Sequence, residues 1–352
     1  MVLHVIKSKI YSGAENVVCQ IIKELSDREE FIYMSPHGPI EDKLKSIGLY
    51  DCYRGIDSLS ADEIRKAVDE LHPTVVHAHD FTASVLCGFA LKGRVPVISH
   101  LHNNPPWIKK FHIKTISYLM ACKYIDHILM VSEAVREEYR YTSKLKCPIT
   151  IVGNPFSVEG VVSQVSEGAV GCAGSEDLKS DLLFVGRLVE QKNPMLVAEV
   201  AKELLDSGSI GTARMVGDGE YMPSLETFVA ENHLEGKLIL EGFKKNSYDY
   251  MANTKVQIMP SKWEGFGLVA LEAMALGKPV VGTDNGGLKN IIDETCGYVC
   301  TDVDSYVSAV KELLDNPEIY NTKTRGALKR AQEYNNIKEY CNKLYEIYDS
   351  VR

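Results

Sequence analysis

Short runs of apolar and β-branched residues alternate with longer helical patterns along the whole chain, and this alternation restricts its fold more than any other feature. The runs lie at residues 3–6, 31–34, 75–78, 95–99, 127–131 and 150–152, and again at 182–185, 214–216, 238–241, 256–259 and 279–282. Continuous apolar strands separated by helices are typical of parallel sheets that helices cover on both faces. The sequence therefore predicts an α/β fold of two doubly wound parallel-sheet units in tandem.

The segment between the two halves, residues 158–180, is rich in glycine, serine and other small residues and has no helical period. Such a composition is typical of linkers and surface loops, so it predicts a domain boundary. The 352 residues of the chain are enough for two domains. Apolar residues over 337–348 follow one helical face, and this predicts a last helix that can dock apart from the second domain.

Composition excludes several functions and favours a cytoplasmic location. The net charge of −9 argues against general nucleic-acid binding. No apolar run is long enough to span a membrane, and the first residues lack the pattern of a signal peptide. The nine cysteines are scattered, and the closest pair, Cys296 and Cys300, has no second Cys or His pair to complete a zinc site. We therefore expect reduced thiols and no metal.

The most informative segment, residues 259–281, has the pattern strand, glycine-bearing loop, helix, glycine, strand. Gly265 and Gly267 allow the backbone to approach a ligand, and the following helix directs its free N–H groups toward an anion such as phosphate. Glu264 and Glu272 suit hydroxyl groups, which donate hydrogen bonds to carboxylates. A phosphate between hydroxyl-bearing groups describes a nucleotide sugar. The alternative is a plain turn followed by a solvated glutamate.

This segment resembles the retaining glycosyltransferases of family 4, which have the GT-B fold of two Rossmann-like domains facing across a cleft. The similarity lies in Ser-x-x-Glu-Gly-Phe-Gly and in the Glu-x7-Glu pair formed by Glu264 and Glu272. The resemblance implies that Glu264 binds sugar hydroxyls and that Glu272 binds ribose. It also implies donor contacts from the backbone of Gly265, Phe266, Gly267 and Leu268.

The resemblance extends to the domains and to the reaction. It implies an acceptor-side domain at residues 1–157 to which residues 335–352 return, and a nucleotide-sugar domain at residues 181–334. It further implies transfer of a sugar, most often from a UDP-sugar, to a glycan or lipid-linked acceptor, without a cofactor or metal. Two alternatives stay open, namely a GT-B nucleotide-sugar epimerase and a non-catalytic two-domain sugar-binding protein.

A second motif, Gly-Arg-Leu-x-x-x-Lys, places Arg187 and Lys192 after a predicted strand. Two cations at the carboxyl end of a strand suit a diphosphate, and their bonds strengthen as negative charge develops on a leaving group. Solvated basic residues are the alternative. The resemblance implies that both bind the pyrophosphate and assist its departure.

A third motif contains His100 and His102, which point the same way at the end of a predicted strand. A metal site would need a third ligand, and none is evident in the sequence. The resemblance implies a histidine near the donor sugar here, and His102, the last before the loop, fits best. The alternative is a histidine satisfied by the backbone. We expect His77 and His79 to be structural.

Two further segments complete the expected sites. The turn after the first strand resembles the family's Gly-Gly-x-Glu loop, with Ser12 replacing one glycine and Gly13 able to donate its N–H to a phosphate. Residues 107–124 combine four lysines with apolar residues and contain no acid. Such a segment either lies on an anionic membrane surface, here the inner face, or forms a core helix with a solvated basic side.

Overall fold

The computed structural model describes residues 1–169 and 177–352, which form two compact units. The first unit consists of Met1–Pro155 and Asn336–Arg352, and the second of Phe156–Asn335. Each unit has its own parallel sheet with helices packed against it.

The first unit contains seven parallel strands in the order β3-β2-β1-β4-β5-β6-β7. The strands are β1 (Val2–Val5), β2 (Phe31–Pro36), β3 (Tyr53–Ile56), β4 (Val75–His79), β5 (Val97–Leu101), β6 (His127–Met130) and β7 (Ile149–Ile151). The helices are α1 (Gly13–Leu25), α2 (Ile40–Ser46), α3 (Ala61–Leu71), α4 (Asp80–Leu91), α5 (Ile113–Ala121), α6 (Glu133–Glu138) and, from the end of the chain, α15 (Ile337–Val351).

The second unit contains six parallel strands in the order β10-β9-β8-β11-β12-β13. The strands are β8 (Ser180–Val185), β9 (Ala213–Val216), β10 (Leu238–Gly242), β11 (Thr254–Met259), β12 (Val280–Thr283) and β13 (Gly297–Cys300). The helices are α7 (Val158–Val162), α8 (Pro194–Asp206), α9 (Met222–Glu231), α10 (Tyr248–Ala252), α11 (Leu268–Ala275), α12 (Leu288–Ile291), α13 (Val303–Asp315) and α14 (Pro317–Glu333). The predicted pair of doubly wound parallel sheets is confirmed.

Helix α3 illustrates how local sequence produces these elements. The Ser60 side chain accepts a hydrogen bond from the backbone N–H of Glu63 and so begins the helix. Ile64, Ala67 and Val68 follow at helical spacing and are buried. His72 adopts a left-handed conformation with φ 48° and ends the helix.

The segment expected to be a linker, residues 158–180, differs from that expectation in the described part. It starts with α7, which begins at a cap in which the Ser157 side chain accepts a hydrogen bond from the backbone N–H of Gly160. Val158 and Val161 of this helix are buried. It ends inside β8, which begins at Ser180. Residues 170–176 of the predicted linker lie outside the described residues.

The last helix, α15, packs on α1 and on the sheet of the first unit. Its buried face includes Tyr340, Leu344 and Tyr348. The Tyr348 hydroxyl and Nδ1 of His77 form a buried hydrogen bond of 2.8 Å. This contact links β4 to the end of the chain.

The structure also bears on the state of the cysteines and on membrane-spanning helices. The cysteines among the described residues are free thiols, and Cys172 lies outside that part of the chain. Over residues 1–169 and 177–352, no helix has the length and apolar character needed to cross a bilayer.

Candidate active site

Three loops lie side by side at one edge of the second sheet, because β8, β11 and β12 are neighbours and end in the same direction. They follow Val185, Met259 and Thr283. The first two loops carry the predicted donor residues. The carboxyl edge of such a sheet is where doubly wound folds bind ligands.

The two cations in the loop after β8, Arg187 and Lys192, differ in their exposure to solvent. Arg187 is exposed, and its guanidinium donates to Oε1 of Gln191 at 3.3 Å. Lys192 is largely covered, with 14% of its side chain exposed. Gln191 is buried and donates to the carbonyl of Trp263 at 3.1 Å, which fastens this loop to the loop after β11.

Lys192 and Glu264 form a direct ion pair between these two loops. The Glu264 side chain is 12% exposed and also accepts a hydrogen bond from the Ser261 hydroxyl at 3.4 Å. A half-buried carboxylate needs such a partner, because removing either charge would leave the other uncompensated. The structure thus brings together two residues that the sequence separates widely.

The backbone from Gly265 to Leu268 forms the start of α11. Gly267 has φ 111°, and a Cβ there would lie 2.7 Å from the Leu288 side chain, so this position requires glycine. Phe266 is buried, and Leu268 is the first residue of the helix. The N-terminal N–H groups of α11 therefore lie next to Glu264 in the chain, and they favour an anionic ligand.

Glu272 lies one turn into α11 and is half-buried. Burial raises the pKa of its carboxyl to about 7, although a hydrogen bond from the Tyr248 hydroxyl at 3.1 Å acts in the opposite direction. Near neutral pH this group can therefore either accept hydrogen bonds from two hydroxyls or carry a proton itself.

In the first unit, His102 follows directly after β5 and is half-buried, whereas His100 lies within the strand and is fully buried. The backbone N–H of His102 donates to Oδ1 of Asp80 at 3.1 Å. Asp80 has φ 65°, an unusual conformation that positions its carboxylate at the end of β5. Burial lowers the pKa of His102 to about 4, so the ring is neutral at physiological pH.

His100 and His102 lie in a cluster with three further histidines. The ring nitrogens of His4, His77 and His79 lie within 4.8 Å of one another, and so do those of His79, His100 and His102. The sequence offered no third candidate ligand for His100 and His102, and the neighbouring strands β1 and β4 supply it in space.

Gly13 is the first residue of α1, and a side chain at this position would meet open space. The preceding Ser12 donates to Oε2 of Glu15 through its backbone N–H at 3.0 Å and through its hydroxyl at 2.7 Å. The serine that replaces a family glycine thus caps the helix together with a buried glutamate.

Residues 107–124 form a short turn followed by α5, which covers only the second half of the segment. Ile108, Thr115 and Tyr118 are buried. Phe111 and Ile113 are each 75% exposed and lie beside exposed lysines. One face of this segment is therefore core, and the other is apolar, basic and exposed.

Sequence reasoning missed several residues that shape the site. Tyr248 contacts Glu272 from another helix, Gln191 accepts a hydrogen bond from Arg187 within the same loop, and Asp80 fixes the backbone of His102. Asp80 and Gln191 carried local signals, since Asp80 follows the strand that contains His77 and His79, and Gln191 lies between Arg187 and Lys192.

Comparison with known proteins agrees with the geometry. Residues 11–159 match the model of glycosyltransferase family 4, and residues 174–333 match the model of glycosyl transferases group 1. A galactosyltransferase of Escherichia coli, named for UDP-Gal and α-D-GlcNAc-diphosphoundecaprenol, is 24% identical over 99% of this chain and 96% of its own length. An uncharacterized glycosyltransferase of Methanocaldococcus jannaschii is 26% identical over 92% of this chain and 91% of its own length.

Solved structures establish the fold. HepE of Anabaena, determined in complex with UDP-glucose, has a TM-score of 0.85 at 18% identity and is covered over 99% of both chains. Sucrose-phosphate synthase of Thermosynechococcus elongatus has a TM-score of 0.77 at 15% identity, covering 99% of this chain and 98% of that one. The two parallel-sheet units therefore have the GT-B fold. With the two family models covering most of the sequence, the chain belongs to the glycosyltransferases of the family 4 type.

Proposed function

We propose that this protein is a retaining glycosyltransferase that moves a sugar from a UDP-sugar to a glycan or lipid-linked acceptor in polysaccharide or glycoconjugate biosynthesis. The observation that carries the proposal is the Lys192–Glu264 ion pair beside the N-terminus of α11. A carboxylate next to a diphosphate site would repel the ligand, and the ammonium of Lys192 offsets that repulsion. Glu264 is then free to accept hydrogen bonds from sugar hydroxyls.

The diphosphate meets Lys192, the exposed guanidinium of Arg187 and the N–H groups at the start of α11. As the bond between the sugar and the diphosphate breaks, negative charge grows on the leaving oxygen. These positive groups are already in position, so they stabilise the transition state more than the ground state. In this proposal they take the place of a metal ion, and the reaction needs no cofactor.

Glu272 binds the ribose hydroxyls, and its half-buried position supports this role. A carboxylate that is poorly hydrated before binding loses little hydration when the ribose arrives. From the first unit, His102 hydrogen-bonds to the donor sugar, and the Gly13 N–H meets a phosphate oxygen.

The choice of UDP and of a lipid-linked acceptor rests on relatives. HepE was determined with UDP-glucose, and the E. coli relative is named for UDP-Gal and a diphosphoundecaprenol-linked acceptor. A transfer assay with UDP-galactose or UDP-glucose and GlcNAc-diphosphoundecaprenol tests the proposal. We expect a glycosylated lipid whose new bond keeps the anomeric configuration of the donor, which the proton NMR coupling of the anomeric centre reports.

The other candidates give different results in the same assay. An epimerase would convert the nucleotide sugar without consuming the lipid, and a binding protein would leave both unchanged. An inverted anomeric configuration would contradict the retaining mechanism while leaving the transferase reading intact.

We place the protein in the cytoplasm, peripherally on the inner face of the membrane through residues 107–124. The exposed Phe111 and Ile113 can insert among lipids while Lys110 and Lys114 meet anionic headgroups. We expect the protein to sediment with phosphatidylglycerol vesicles but not with phosphatidylcholine vesicles. The double variant Phe111→Ser/Ile113→Ser should lose this binding, whereas Leu328→Ser, an exposed leucine of α14, should keep it. Equal binding by both variants would contradict the assignment.

A further inference from the structure

Five histidines are gathered at the carboxyl end of three neighbouring strands in the first unit. His4 of β1 lies beside His77 of β4, and His79 of β4 lies beside His100 of β5 in the sheet register. All four are fully buried or nearly so, and His102 follows directly after β5. Such a concentration of buried imidazoles requires an explanation, because buried polar groups are normally hydrogen-bonded.

Three of these rings form a continuous hydrogen-bonded chain. Nδ1 of His4 lies 2.9 Å from Nε2 of His79, and Nδ1 of His79 lies 2.9 Å from Nε2 of His102. The ring centroids in each pair are 5.2 Å apart, and the ring planes differ by 31° and 19°. Rings that meet end to end in nearly common planes have this geometry, which suits N–H···N bonds.

The chain has only two proton arrangements when all three rings are neutral. Burial lowers the pKa of each ring, so neutral imidazoles with one N–H each are the relevant form. Either each Nδ1 carries the proton and donates toward His102, or each Nε2 carries it and donates toward His4. The first arrangement leaves an N–H on Nδ1 of His102, and the second leaves one on Nε2 of His4.

The surroundings of the two ends favour the first arrangement. Nε2 of His4 and Nδ1 of His102 are both buried without a partner among the described residues, and an orphaned N–H in such a place is costly. His4 lies within β1 and is fully buried, whereas His102 follows β5, at the edge of the sheet where a ligand can accept a hydrogen bond from its ring. His102 is half-buried, and the negative charge of Glu15 acts on its ring. That charge stabilises an N–H at His102, whereas a bare Nε2 on His4 leaves only a lone pair unsatisfied.

We propose that His79, held by His4, donates its Nδ1–H to Nε2 of His102 and thereby fixes His102 as the Nδ1–H tautomer. His4 and His79 are then positioning residues, and His102 offers a hydrogen-bond donor to an oxygen of the nucleotide-sugar donor. This inference rests on the proposed role of His102. It assigns a direction to the contact, since the sugar or phosphate oxygen accepts and the imidazole donates.

A metal ion is the competing explanation for the cluster, and the geometry disfavours it. Ligand nitrogens around tetrahedral zinc, at the usual Zn–N distance, are separated by roughly 3.4 Å. The nitrogens of His4 and His79, and those of His79 and His102, are closer than that and meet along the ring planes. Hydrogen bonds account for both contacts.

Two-bond proton–nitrogen NMR of the full chain, labelled with ¹⁵N-histidine, tests the tautomer directly. The spectrum distinguishes the protonated from the bare nitrogen of each ring, and the signals that disappear in His102→Gln identify His102. We expect Nδ1 of His102 to be protonated and Nε2 to be bare. In His79→Phe the donor to Nε2 is lost, so the proton should move to Nε2, the form that unconstrained histidine prefers.

His77→Phe is the matched control, because His77 is buried on the same strand but bonds Tyr348 instead of joining the chain. It should leave the His102 tautomer unchanged. If His79→Phe does not fold, His4→Phe interrupts the other bond and should produce a mixture of His102 tautomers. Protonated Nε2 in the wild type, or a tautomer unaffected by His79→Phe and His4→Phe, would overturn the proposal.

Two further measurements distinguish the tautomer proposal from a metal site and from the proposed donor site. The spectrum is recorded before and after chelation, and a change in the His79 and His102 signals on chelation would overturn the relay in favour of a metal. The tautomer is read without nucleotide, whereas UDP binding is measured separately by thermal shift. A wrong tautomer with normal UDP binding therefore refutes only the relay, and the expected tautomer without UDP binding refutes only the donor assignment.

Discussion

At the scale of single residues, the candidate donor site is built from charges that are matched before any ligand binds. Lys192 and Glu264 compensate each other, and Arg187 is held by Gln191 at an exposed position. Glu272 is the exception, because among the described residues its carboxylate has a hydrogen bond from the Tyr248 hydroxyl alone, and burial raises its pKa to about 7. The ionised carboxylate of Glu272 therefore costs the folded state stability.

This cost gives a pH-dependent prediction for Glu272→Gln. The native pKa of about 7 lies above the ordinary 4.5, so the folded state holds the proton more tightly than the unfolded state. In the wild type, the contribution of the Glu272 carboxyl to the free energy of unfolding is therefore fully present below pH 4.5 and is lost as the pH rises through 7. Glutamine does not ionise, so the variant should gain about 1–2 kcal/mol over wild type at pH 8 relative to pH 5, allowing for partial exposure.

Urea denaturation at the two pH values measures this difference. Glu199→Gln, at an exposed position on α8 of the same unit, is the control and should show no such pH dependence. A Glu272→Gln variant whose advantage over wild type is the same at both pH values would contradict the raised pKa.

At the scale of elements, close backbone contacts hold the loops at the sheet edge together. The Gly186 N–H donates to the carbonyl of Val216, and the Leu188 N–H donates to the carbonyl of Asp218. A Cβ at Gly217, where φ is 144°, would lie 1.8 Å from the carbonyl oxygen of Gly186. The Gly-Asp-Gly turn after β9 thus supports the loop that carries Arg187.

Gly217→Ala should destabilise the protein by about 2–3 kcal/mol, because the loop after β8 must move to accept the methyl group. Gly211→Ala is the matched control, since a Cβ there has only one contact within 4 Å, to Asp181 at 3.6 Å. It should stay within about 0.5 kcal/mol of wild type in urea denaturation. Equal stability of the two variants would mean that the backbone contact is unimportant.

Element prediction from sequence succeeded where apolar periodicity was strong. The apolar runs form strands, and the apolar face over residues 337–348 lies in α15. The unpredicted β3 and β13 lie at sheet edges, where half-exposed strands need fewer apolar residues. Helix α14 buries only Ala327 and Ala331, so its sequence lacks an apolar stripe.

Parts of the candidate site depend on contacts that no local pattern encodes. The Glu264 and Lys192 motifs were recognisable, but their ion pair joins residues 72 positions apart. The histidine chain needs the register of three strands, which sequence spacing does not determine. Tyr248 reaches Glu272 only because α10 packs against α11.

At the scale of the whole molecule, the end of the chain completes the unit that begins it. Helix α15 buries Tyr348 against the first sheet, and Arg352 forms an ion pair with Glu29. The Arg28 guanidinium lies 4.0 Å from the centre of the Tyr345 ring. The stability of the first unit therefore depends on residues that follow the second unit in the chain.

Tyr348→Phe should lower the free energy of unfolding by about 1–2 kcal/mol, because it leaves the buried Nδ1 of His77 without its partner. Tyr345→Phe is the control, since it keeps the ring that contacts Arg28. Thermal unfolding compares the two. Equal unfolding temperatures for both variants would contradict the contribution of this contact.

In the proposed function the second unit binds the diphosphate of a UDP-sugar, and a thermal-shift panel with UDP, GDP, ADP and dTDP measures this binding. A ligand at 100 times its dissociation constant stabilises a protein by about 2.7 kcal/mol. We expect UDP, and none of the other three nucleotides, to raise the unfolding temperature. This rise should be lost in Lys192→Ala and kept in Lys262→Ala, whose lysine is exposed and pairs with Glu190. No shift with any nucleotide, or a UDP shift that survives Lys192→Ala, would contradict it.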